Sequence, residues 1–275
     1  MPEPRLAPEF PFVTPELSHR FESAEWLPSL SIVDRLQVEQ PSLGAERREI
    51  AGGWAFYIGA SSPLSHALGM GLRGPVTSSD IDLVESLYRG RQPYCEIVVS
   101  PYADRSLVTL LGERGYTITE WNSVLVHTLT DVPERDSREA EVRRVLPQDA
   151  QLWAEVVSAS FSDIAQVPPE LFMPIAQAEE ALCFLAYIDG QPVGGGGGSL
   201  FPELGIAPIF GAATMKPFRN RGVQTALLRA RLREAQHSGC EYAVICTEPG
   251  TVSQHNAERN GFRVAYTKCA MQRRF

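Results

Sequence analysis

The residues best suited to chemistry lie in a basic turn between Ala212 and Ala226. Arg219 and Arg221 stand directly before Gly222, and apolar residues recur at helical spacing after the glycine. A β-prone run that starts at Ile209 leads into the turn. The first N–H groups of a helix have no partner within it, and the helix dipole places partial positive charge there. The pattern therefore predicts a strand–turn–helix unit that binds a phosphate group.

A second informative segment follows the helix that the basic turn opens. Tyr242 to Cys246 is predicted to form a strand, and Ser253 to Arg259 a short helix. Gly261 ends this helix, because glycine readily adopts the left-handed conformation at a helix C-terminus. Phe262 then opens a strand that extends to Met271. The predicted order is strand, basic turn, helix, strand, short helix, glycine–phenylalanine and strand.

In this order the two segments resemble the GCN5-related N-acetyltransferase (GNAT) superfamily. Arg219-x-x-Gly222-x-Gln224-x-Ala226 is similar to its acyl-CoA signature, although Gln224 stands where the family most often has glycine or alanine. The resemblance implies acetyl-CoA as co-substrate, with its pyrophosphate on the N–H groups of the turn. The cofactor-binding residues that it implies are Ala212, Ala213, Thr214, Arg219, Asn220, Arg221, Gly222, Val223, Gln224, Thr225 and Asn256.

The resemblance also implies how the reaction would proceed. The acceptor amine attacks the thioester directly, and the backbone N–H of Thr214 holds the thioester oxygen as charge develops. Family members often have a tyrosine about seven residues after the position of Asn256, but here that position is Arg263. By elimination, Tyr266 is the candidate acid.

Two residues near the turn are candidate bases. Glu248 follows a predicted strand where family members often have a glutamate, and His255 carries an imidazole whose ordinary pKa is about 6.5. Each also has a structural interpretation: Glu248 and His255 as surface groups, and Tyr266 as a core aromatic residue. Water can also carry the amine proton away, so no base is strictly required.

The rest of the second half supplies the elements around this site. The sequence predicts strands over Glu141 to Val145 and Leu182 to Ile188, with a helix from Pro147 to Ser160 between them. Asp189-Gly190 is a hairpin signal. The five glycines from Gly194 to Gly198 lack the following Lys-Ser/Thr of a Walker loop, so we predict a flexible, bulged strand start.

The first half repeats this plan, which predicts tandem domains. Its predicted elements are helices over Ala24–Gln37, Asp80–Tyr88 and Asp104–Glu113, and strands over Ile50–Gly59, Tyr94–Val99 and Trp121–Leu129. We predict a mixed α/β fold of two GNAT-like halves, each with a mostly antiparallel sheet flanked by helices. The expected domains are 1–135, degenerate because Pro75 lies at the place of the basic turn, and 139–275, the acetyltransferase.

One further glycine motif is present in the first half. Gly69-x-Gly71-x-x-Gly74 matches a dinucleotide-binding fingerprint, which would favour a nicotinamide-dependent enzyme. The next predicted helix starts only near Ser79, however, and Pro75 follows the motif at once. The glycines therefore do not open a helix as that fingerprint requires.

Composition limits the remaining classes of function. The 275 residues carry a formal net charge of −8, and this argues against nucleic-acid binding. The sequence has no apolar run long enough to span a membrane and no signal-peptide core, and five cysteines without C-x-x-C spacing predict neither a zinc site nor a disulfide framework. We expect a cytoplasmic monomer or homodimer that acts on a small-molecule or peptide amine. A non-catalytic acyl-CoA sensor is the alternative.

Overall fold

The computed structural model describes residues 10–60, 62–130, 132, 140–162 and 167–275. The helices are α1 Pro15–Glu39, α2 Ser78–Tyr88, α3 Arg105–Glu113, α4 Ala150–Phe161, α5 Met173–Gln177, α6 Val223–His237 and α7 Val252–Arg259. The strands are β1 Glu46–Ile50, β2 Gly53–Tyr57, β3 Ala67–Leu68, β4 Tyr94–Val99, β5 Thr117–Thr128, β6 Glu141–Arg144, β7 Phe184–Ile188, β8 Gln191–Gly198, β9 Ile206–Thr214, β10 Tyr242–Thr247 and β11 Arg263–Arg274. The predicted boundary between the two domains falls mostly outside the described residues.

All the strands named above form one sheet, in the order β1-β2-β3-β4-β11-β5-β10-β9-β8-β7-β6. Within it, β3–β4 and β9–β10 are parallel and the other neighbours are antiparallel. The expected mixed, mostly antiparallel sheet flanked by helices is therefore confirmed. It is continuous, however, whereas the sequence predicted one sheet in each half.

The two halves join because their last strands are exchanged. β11, from the second half, lies between β4 and β5 of the first, so that Ala270 is opposite both Val98 and Glu120. β5 in turn pairs with β10 of the second half. β4 and β10 thus each pair with a strand of the other half, so neither presents a row of unpaired N–H and C=O groups at a sheet edge. The exchange therefore makes each half depend on the other for its hydrogen bonding.

Local sequence signals place most elements within a few residues of their predicted limits. Two predictions differ more: α1 begins at Pro15, nine residues before the predicted Ala24, and the predicted strand Ile50 to Gly59 contains β2 but also a turn. Ala51 and Gly52 have φ angles of 51° and 76°, and they form the tight turn of a hairpin between β1 and β2. The N-terminus of α2 is closed by a capping box, in which Thr77 and Asp80 exchange hydrogen bonds.

The glycine run from Gly194 to Gly198 is the buried end of β8, so the prediction of a flexible strand start is wrong, whereas the predicted bulge is present in the β8–β9 ladder between Gly195 and Gly197. A Cβ atom on Gly195 would lie 2.7 Å from the Val157 side chain, and one on Gly196 would lie 2.8 Å from the Arg231 guanidinium carbon. Val157 belongs to α4 and Arg231 to α6. The run is thus glycine because helices press on both faces of this strand.

We expect Gly198→Ala to destabilise the protein by about 2–3 kcal/mol, because its Cβ would lie 2.6 Å from the Pro208 carbonyl oxygen. The control is Gly112→Ala in α3, where a Cβ meets nothing within 4 Å and where alanine favours the helix by about 0.5–1 kcal/mol. Urea unfolding measures both changes. Equal stabilities for the two variants would contradict the packing described for β8.

The motif that begins at Gly69 serves packing in the first half. A Cβ on Gly69 would lie 2.5 Å from the Trp26 ring of α1. The motif ends before α2, whose N-cap is Thr77. Gly69 therefore makes room for α1. The motif does not open a helix, as the sequence predicted.

Two simpler expectations can also be compared with the structure. All five cysteines are free thiols. Among the described residues, no helix combines the length and the apolar character needed to cross a membrane.

Candidate functional site

The sheet opens between β9 and β10, directly beside the basic turn. The two strands pair in parallel only from Ile206 to Pro208 and from Tyr242 to Val244, and then they separate. Pro208 has no N–H group, so it cannot donate a hydrogen bond where the pairing ends. The opening holds a cavity of about 250 Å³, here named the α6–α7 cavity. Its lining residues are Phe161, Ile209, Phe210, Gly211, Ala212, Gln224, Thr225, Leu228, Arg231, Ile245, Cys246, Ser253, Asn256, Ala257 and Asn260.

A β-bulge presents the backbone of β9 to this cavity. Gly195 is opposite Ala213, and Gly197 is opposite Phe210, so two residues of β9 face one residue of β8. These two residues are Gly211, which has a φ angle of 57°, and Ala212. A bulge leaves its extra residue outside the ladder, so its backbone groups are available to an extended ligand. The sequence analysis missed Gly211, although a glycine within a strand is the usual signal of a bulge.

Thr214 also presents its backbone away from β8. The N–H of Met215 donates to the carbonyl of Val193 over 2.9 Å, which makes Gly194 and Thr214 a non-hydrogen-bonded pair. The carbonyl of Thr214 accepts a hydrogen bond from Arg219 Nε over 3.0 Å. Its N–H therefore points toward the open side of the sheet, where the resemblance places an oxyanion donor.

The basic turn leaves the N-terminus of α6 open. Asn220 and Gly222 have φ angles of 63° and 76°, and Gly222 is the N-cap without a side-chain cap. The hydrogen bond from Ala226 N–H to the Gly222 carbonyl closes the first helical turn. The backbone N–H groups of residues 223–225 precede that bond, so no carbonyl within the helix accepts from them. This helix end is therefore suited to an anion.

Two side chains of the motif fasten the turn to β9. Arg219 donates to Thr214, as above, and its Nη2 donates to the carbonyl of Ser160 over 3.4 Å. Gln224 Nε2 donates to Thr214 Oγ1 over 3.2 Å. Gln224, which departs from the family pattern, thus links the start of α6 to the end of β9. Arg221 is exposed at the rim, with its guanidinium 6.0 Å from the ring of Phe218.

Arg231 of α6 lines the α6–α7 cavity from inside the fold. It is 2% exposed, and its Nη1 donates to the carbonyls of Gly197 and Phe210 over 2.8 and 3.2 Å. Burial lowers the pKa of Arg231 to about 10. The guanidinium holds β8 against β9 beside the bulge. The glycines opposite it were the signal that sequence analysis could have used.

Arg229 of α6 is half-buried. Its Nε donates to Asn260 Oδ1 over 3.3 Å, which ties α6 to the end of α7. Asn260 Nδ2 in turn donates to the backbone carbonyl of Asn256 over 2.8 Å. Asn256 is half-buried on α7 and lines the α6–α7 cavity. The structure thus places Asn256 beside the same cavity as Ala212, Gln224 and Thr225.

The candidate bases lie away from that cavity's lining. Glu248 is exposed after β10, where its backbone carbonyl accepts a hydrogen bond from Thr251 Oγ1 over 2.8 Å. His255 is exposed on α7, next in sequence to Asn256. Neither residue lines the α6–α7 cavity. Their catalytic roles stay predictions.

The candidate acid, Tyr266, faces α1. It is 9% exposed, and its ring centre lies 5.3 Å from that of Tyr102 in an edge-on arrangement. Burial raises the pKa of Tyr266 well above its ordinary value, and the neighbouring Glu22 carboxylate adds to the effect. The phenol therefore stays protonated. Tyr266 is absent from the lining of the α6–α7 cavity.

We expect Tyr266→Phe to keep kcat within a factor of about 2 of the wild-type value, well under 1 kcal/mol of barrier, because the hydroxyl is buried toward Glu22. Steady-state kinetics over a range of pH measures the effect. The control Tyr242→Phe alters another strand tyrosine beside α1, whose ring packs on Phe21. A loss of about 100-fold in kcat with unchanged KM, specific to Tyr266→Phe, would instead establish it as the acid.

A second cavity lies under α1 and reaches the same opening. This α1 cavity has a volume of about 480 Å³, and it shares Ile209, Phe210, Gly211 and Cys246 with the α6–α7 cavity. On five neighbouring strands its lining residues are two positions apart, so they project from one face of the sheet. These pairs are Glu96 and Val98 on β4, Lys268 and Ala270 on β11, Glu120 and Asn122 on β5, Val244 and Cys246 on β10, and Pro208 and Phe210 on β9.

Comparison with known proteins agrees with this geometry. Residues 150–262 match the model of the acetyltransferase (GNAT) family. A GCN5-related N-acetyltransferase from Kribbella flavida is similar in structure, with a TM-score of 0.63 at 17% identity over 90% of this chain and 95% of that one.

Two further solved structures share the fold at low identity. A GCN5-related N-acetyltransferase from Sphaerobacter thermophilus has a TM-score of 0.55 at 21% identity, over 66% of this chain and 59% of its own length. A tandem GNAT protein from the clavulanic acid biosynthesis pathway has a TM-score of 0.52 at 12% identity, over 70% of this chain and 67% of that one. No curated protein sequence matches the chain.

Proposed function

We propose that this protein is an acyltransferase that takes acetyl-CoA as co-substrate and acetylates the amine of an acceptor by direct attack. The match of residues 150–262 to the acetyltransferase (GNAT) family supports this proposal. The single observation that carries the proposal is the opening between β9 and β10. There the uncapped first turn of α6, through Gln224 and Thr225, and the bulge of β9, through Gly211 and Ala212, line one cavity.

The residues around the opening fit the successive parts of acetyl-CoA. The N–H groups of residues 223–225, together with the side chain of Arg221, would hold the pyrophosphate. One charge at an exposed helix end contributes only about 0.3–1 kcal/mol, so these donors must act together. The backbone of Gly211 and Ala212 would pair with the pantetheine arm, and Asn256 would contact the arm from α7. Arg219 and Gln224 would act by positioning the turn.

The proposed chemistry needs few protein groups. The amine nitrogen attacks the thioester carbonyl carbon, so a C–N bond forms as the C–S bond breaks and the sulfur leaves as thiolate. The Thr214 N–H would stabilise the negative charge that develops on the carbonyl oxygen. The proton released by the amine passes to water. If the coenzyme thiol resembles cysteine, with a pKa of about 8.5, its thiolate leaves without an acid.

The proposal predicts one acetyl-CoA per chain. The N-terminus of α2, which follows the corresponding place in the first half, is closed by its own capping box of Thr77 and Asp80, whereas that of α6 has no side-chain cap. Isothermal titration should therefore give a stoichiometry of one. Two molecules bound per chain would contradict the assignment of the site to the second half.

A turnover assay distinguishes the proposed enzyme from a non-catalytic acyl-CoA sensor. Incubation with acetyl-CoA and a panel of amines should release coenzyme A thiol and give acetylated product that mass spectrometry identifies. Tight binding of acetyl-CoA without turnover on any amine would favour the non-catalytic acyl-CoA sensor, which the absence of a tyrosine at Arg263 also suggests.

A further inference from the structure

We propose that Arg231 is a positioning residue for acetyl-CoA: its guanidinium holds the bulge of β9 at a fixed place relative to the open end of α6. The inference rests on the proposed function and adds the residue that keeps the two cofactor-binding parts of that site in register. Arg231 lies near the middle of α6 and lines the α6–α7 cavity.

The guanidinium of Arg231 is buried without a carboxylate. Only 2% of the residue is exposed, and its hydrogen-bond partners within the described part of the chain are backbone carbonyls. A buried charge is costly unless hydrogen bonds compensate it, and an apolar side chain of similar volume often replaces such a group without loss of stability. Packing alone therefore does not account for an arginine at this position.

The carbonyls that accept from Arg231 belong to three elements. Nε donates to Leu227 of α6 itself over 3.0 Å, and Nη1 donates to Gly197 of β8 and Phe210 of β9 over 2.8 and 3.2 Å. Gly197 and Phe210 face each other across the β8–β9 ladder, and Phe210 directly precedes the bulge. The guanidinium thus joins α6 to both strands at the point where the bulge begins.

The glycine opposite the bulge makes room for this contact. Gly196 lies between Gly195 and Gly197, the two residues of β8 that pair on either side of the bulge. A Cβ atom on Gly196 would lie 2.8 Å from Arg231 Cζ and 3.1 Å from its Nε. A side chain at position 196 would therefore displace the guanidinium, so the glycine and the arginine act as a pair.

The two parts of the proposed cofactor site lie on the elements that Arg231 joins. The N–H groups of residues 223–225 of α6 would hold the pyrophosphate, and the bulge of β9 would pair with the pantetheine arm. Gln224 links the start of α6 to Thr214, at the end of β9, whereas Arg231 links the same helix to the strand at the bulge. A misplacement of about 1 Å in such a site can lower a rate about 100-fold, so the second link fixes a distance that matters.

The test compares the whole cofactor with its phosphate end. The probes are acetyl-CoA and adenosine 3′-phosphate 5′-diphosphate, which is coenzyme A without the pantetheine arm. Arg231→Met should weaken acetyl-CoA binding at least about 10-fold in isothermal titration, because the bulge is no longer pre-organised for the arm. It should keep the affinity for the fragment within about 2-fold, since the turn that holds the phosphates is unchanged. A general loss of structure would weaken both ligands alike.

Two further variants keep the test informative if Arg231→Met does not fold. Arg231→Lys retains the charge but not the planar set of donors, so it should weaken acetyl-CoA binding at least about 3-fold. Gly196→Ala displaces the guanidinium without altering it and should reproduce the loss in Arg231→Met. The control Arg114→Met removes an arginine of the first half that donates to the carbonyl of Ser78 over 2.8 Å, and it should change neither affinity. Circular dichroism shows whether each variant is folded.

Steady-state kinetics gives a readout that a purely structural role would not produce. Arg231→Met should raise KM for acetyl-CoA at least about 10-fold and leave KM for the amine within about 2-fold of wild type. Wild-type affinity for acetyl-CoA in folded Arg231→Met or Arg231→Lys would overturn the proposal. Equal weakening of acetyl-CoA and the fragment would overturn it as well.

The two proposals can fail separately. If Arg231→Met loses affinity for acetyl-CoA but not for the fragment, and wild type acetylates no amine, the proposed transfer is wrong and the positioning role stands. If wild type acetylates amines and Arg231→Met does so with an unchanged KM for acetyl-CoA, the transfer stands and the positioning role is wrong.

Discussion

Gly222→Asp is expected to weaken acetyl-CoA binding by at least about 100-fold while the protein stays folded. Gly222 has a φ angle of 76° at the N-cap of α6, a conformation that residues with a Cβ rarely adopt. The new carboxylate would also stand where the pyrophosphate binds, so it would replace attraction by like-charge repulsion. Isothermal titration measures the affinity, and thermal unfolding shows whether the fold survives.

The control for this variant carries the same backbone penalty. Gly90→Asp also introduces an aspartate at a positive φ angle, 77°, in the first half, and its Cβ would meet nothing within 4 Å. It should lose similar stability and keep full affinity for acetyl-CoA. Wild-type affinity in Gly222→Asp would remove the basic turn from the binding site. Equal loss in both variants would point to instability as the cause.

Lys268→Met is expected to lower the free energy of unfolding by about 3–5 kcal/mol, a large part of the stability of a typical protein. Lys268 on β11 is 3% exposed and bonds Glu22 and Glu25 of α1. Without the ammonium group, these carboxylates keep their burial and lose their counter-ion. Urea unfolding at neutral pH measures the loss. Lys216→Met, at an exposed turn, should change stability by less than about 0.5 kcal/mol.

The pH dependence of this loss has a definite sign. Burial raises the pKa of Glu25, but the Lys268 ammonium and the Cys246 thiol outweigh it, so the pKa lies below its ordinary value. Glu25 therefore stabilises the fold above the ordinary carboxyl pKa and loses that contribution as the pH falls through the lowered value. Lys268→Met lacks the main favourable partner of Glu25. The difference in free energy of unfolding between this variant and wild type should therefore shrink as the pH falls toward about 4, near the ordinary carboxyl pKa.

A compensating variant separates charge from packing. The triple variant Glu22→Gln, Glu25→Gln, Lys268→Met has no buried charge left in this cluster, so it should recover most of the stability lost in Lys268→Met. It should also lose less stability than wild type on acidification. The alternative result is a loss in free energy of unfolding in Lys268→Met that is constant with pH and persists in the triple variant. That result would mean that the loss comes from packing and not from charge.

The candidate cofactor site was largely predictable because its signals are local. Arg219, Gly222 and Gln224 lie within six residues, and the conformation of a turn that leads into a helix depends mainly on its own residues. The structure places the open helix end, and Asn256, beside one cavity. The same holds for the short helix α7, which ends just before Gly261 as predicted. Their roles in binding stay predictions.

The surroundings of the candidate acid could not be predicted from local sequence patterns. A strand residue such as Tyr266 projects from one of two faces, and the elements that cover each face are set by the whole sheet. Here β11 is exchanged between β4 and β5, so Tyr266 is buried toward α1. In the same way, Arg229 and Arg231 lie on one helix, yet Arg231 packs against Gly196 of β8 and Arg229 bonds Asn260.

By itself the sequence determined the class of fold, the basic turn at Gly222 and the order of the elements around it. These properties follow from the spacing of residues within single elements, which backbone geometry converts directly into turns, helices and strands. Only the tertiary structure decided that one sheet joins the halves, that β9 and β10 part after Pro208, and that a cavity lies under α1. That cavity unites Glu25 with Lys268, 243 positions apart, and such contacts depend on how distant elements pack together.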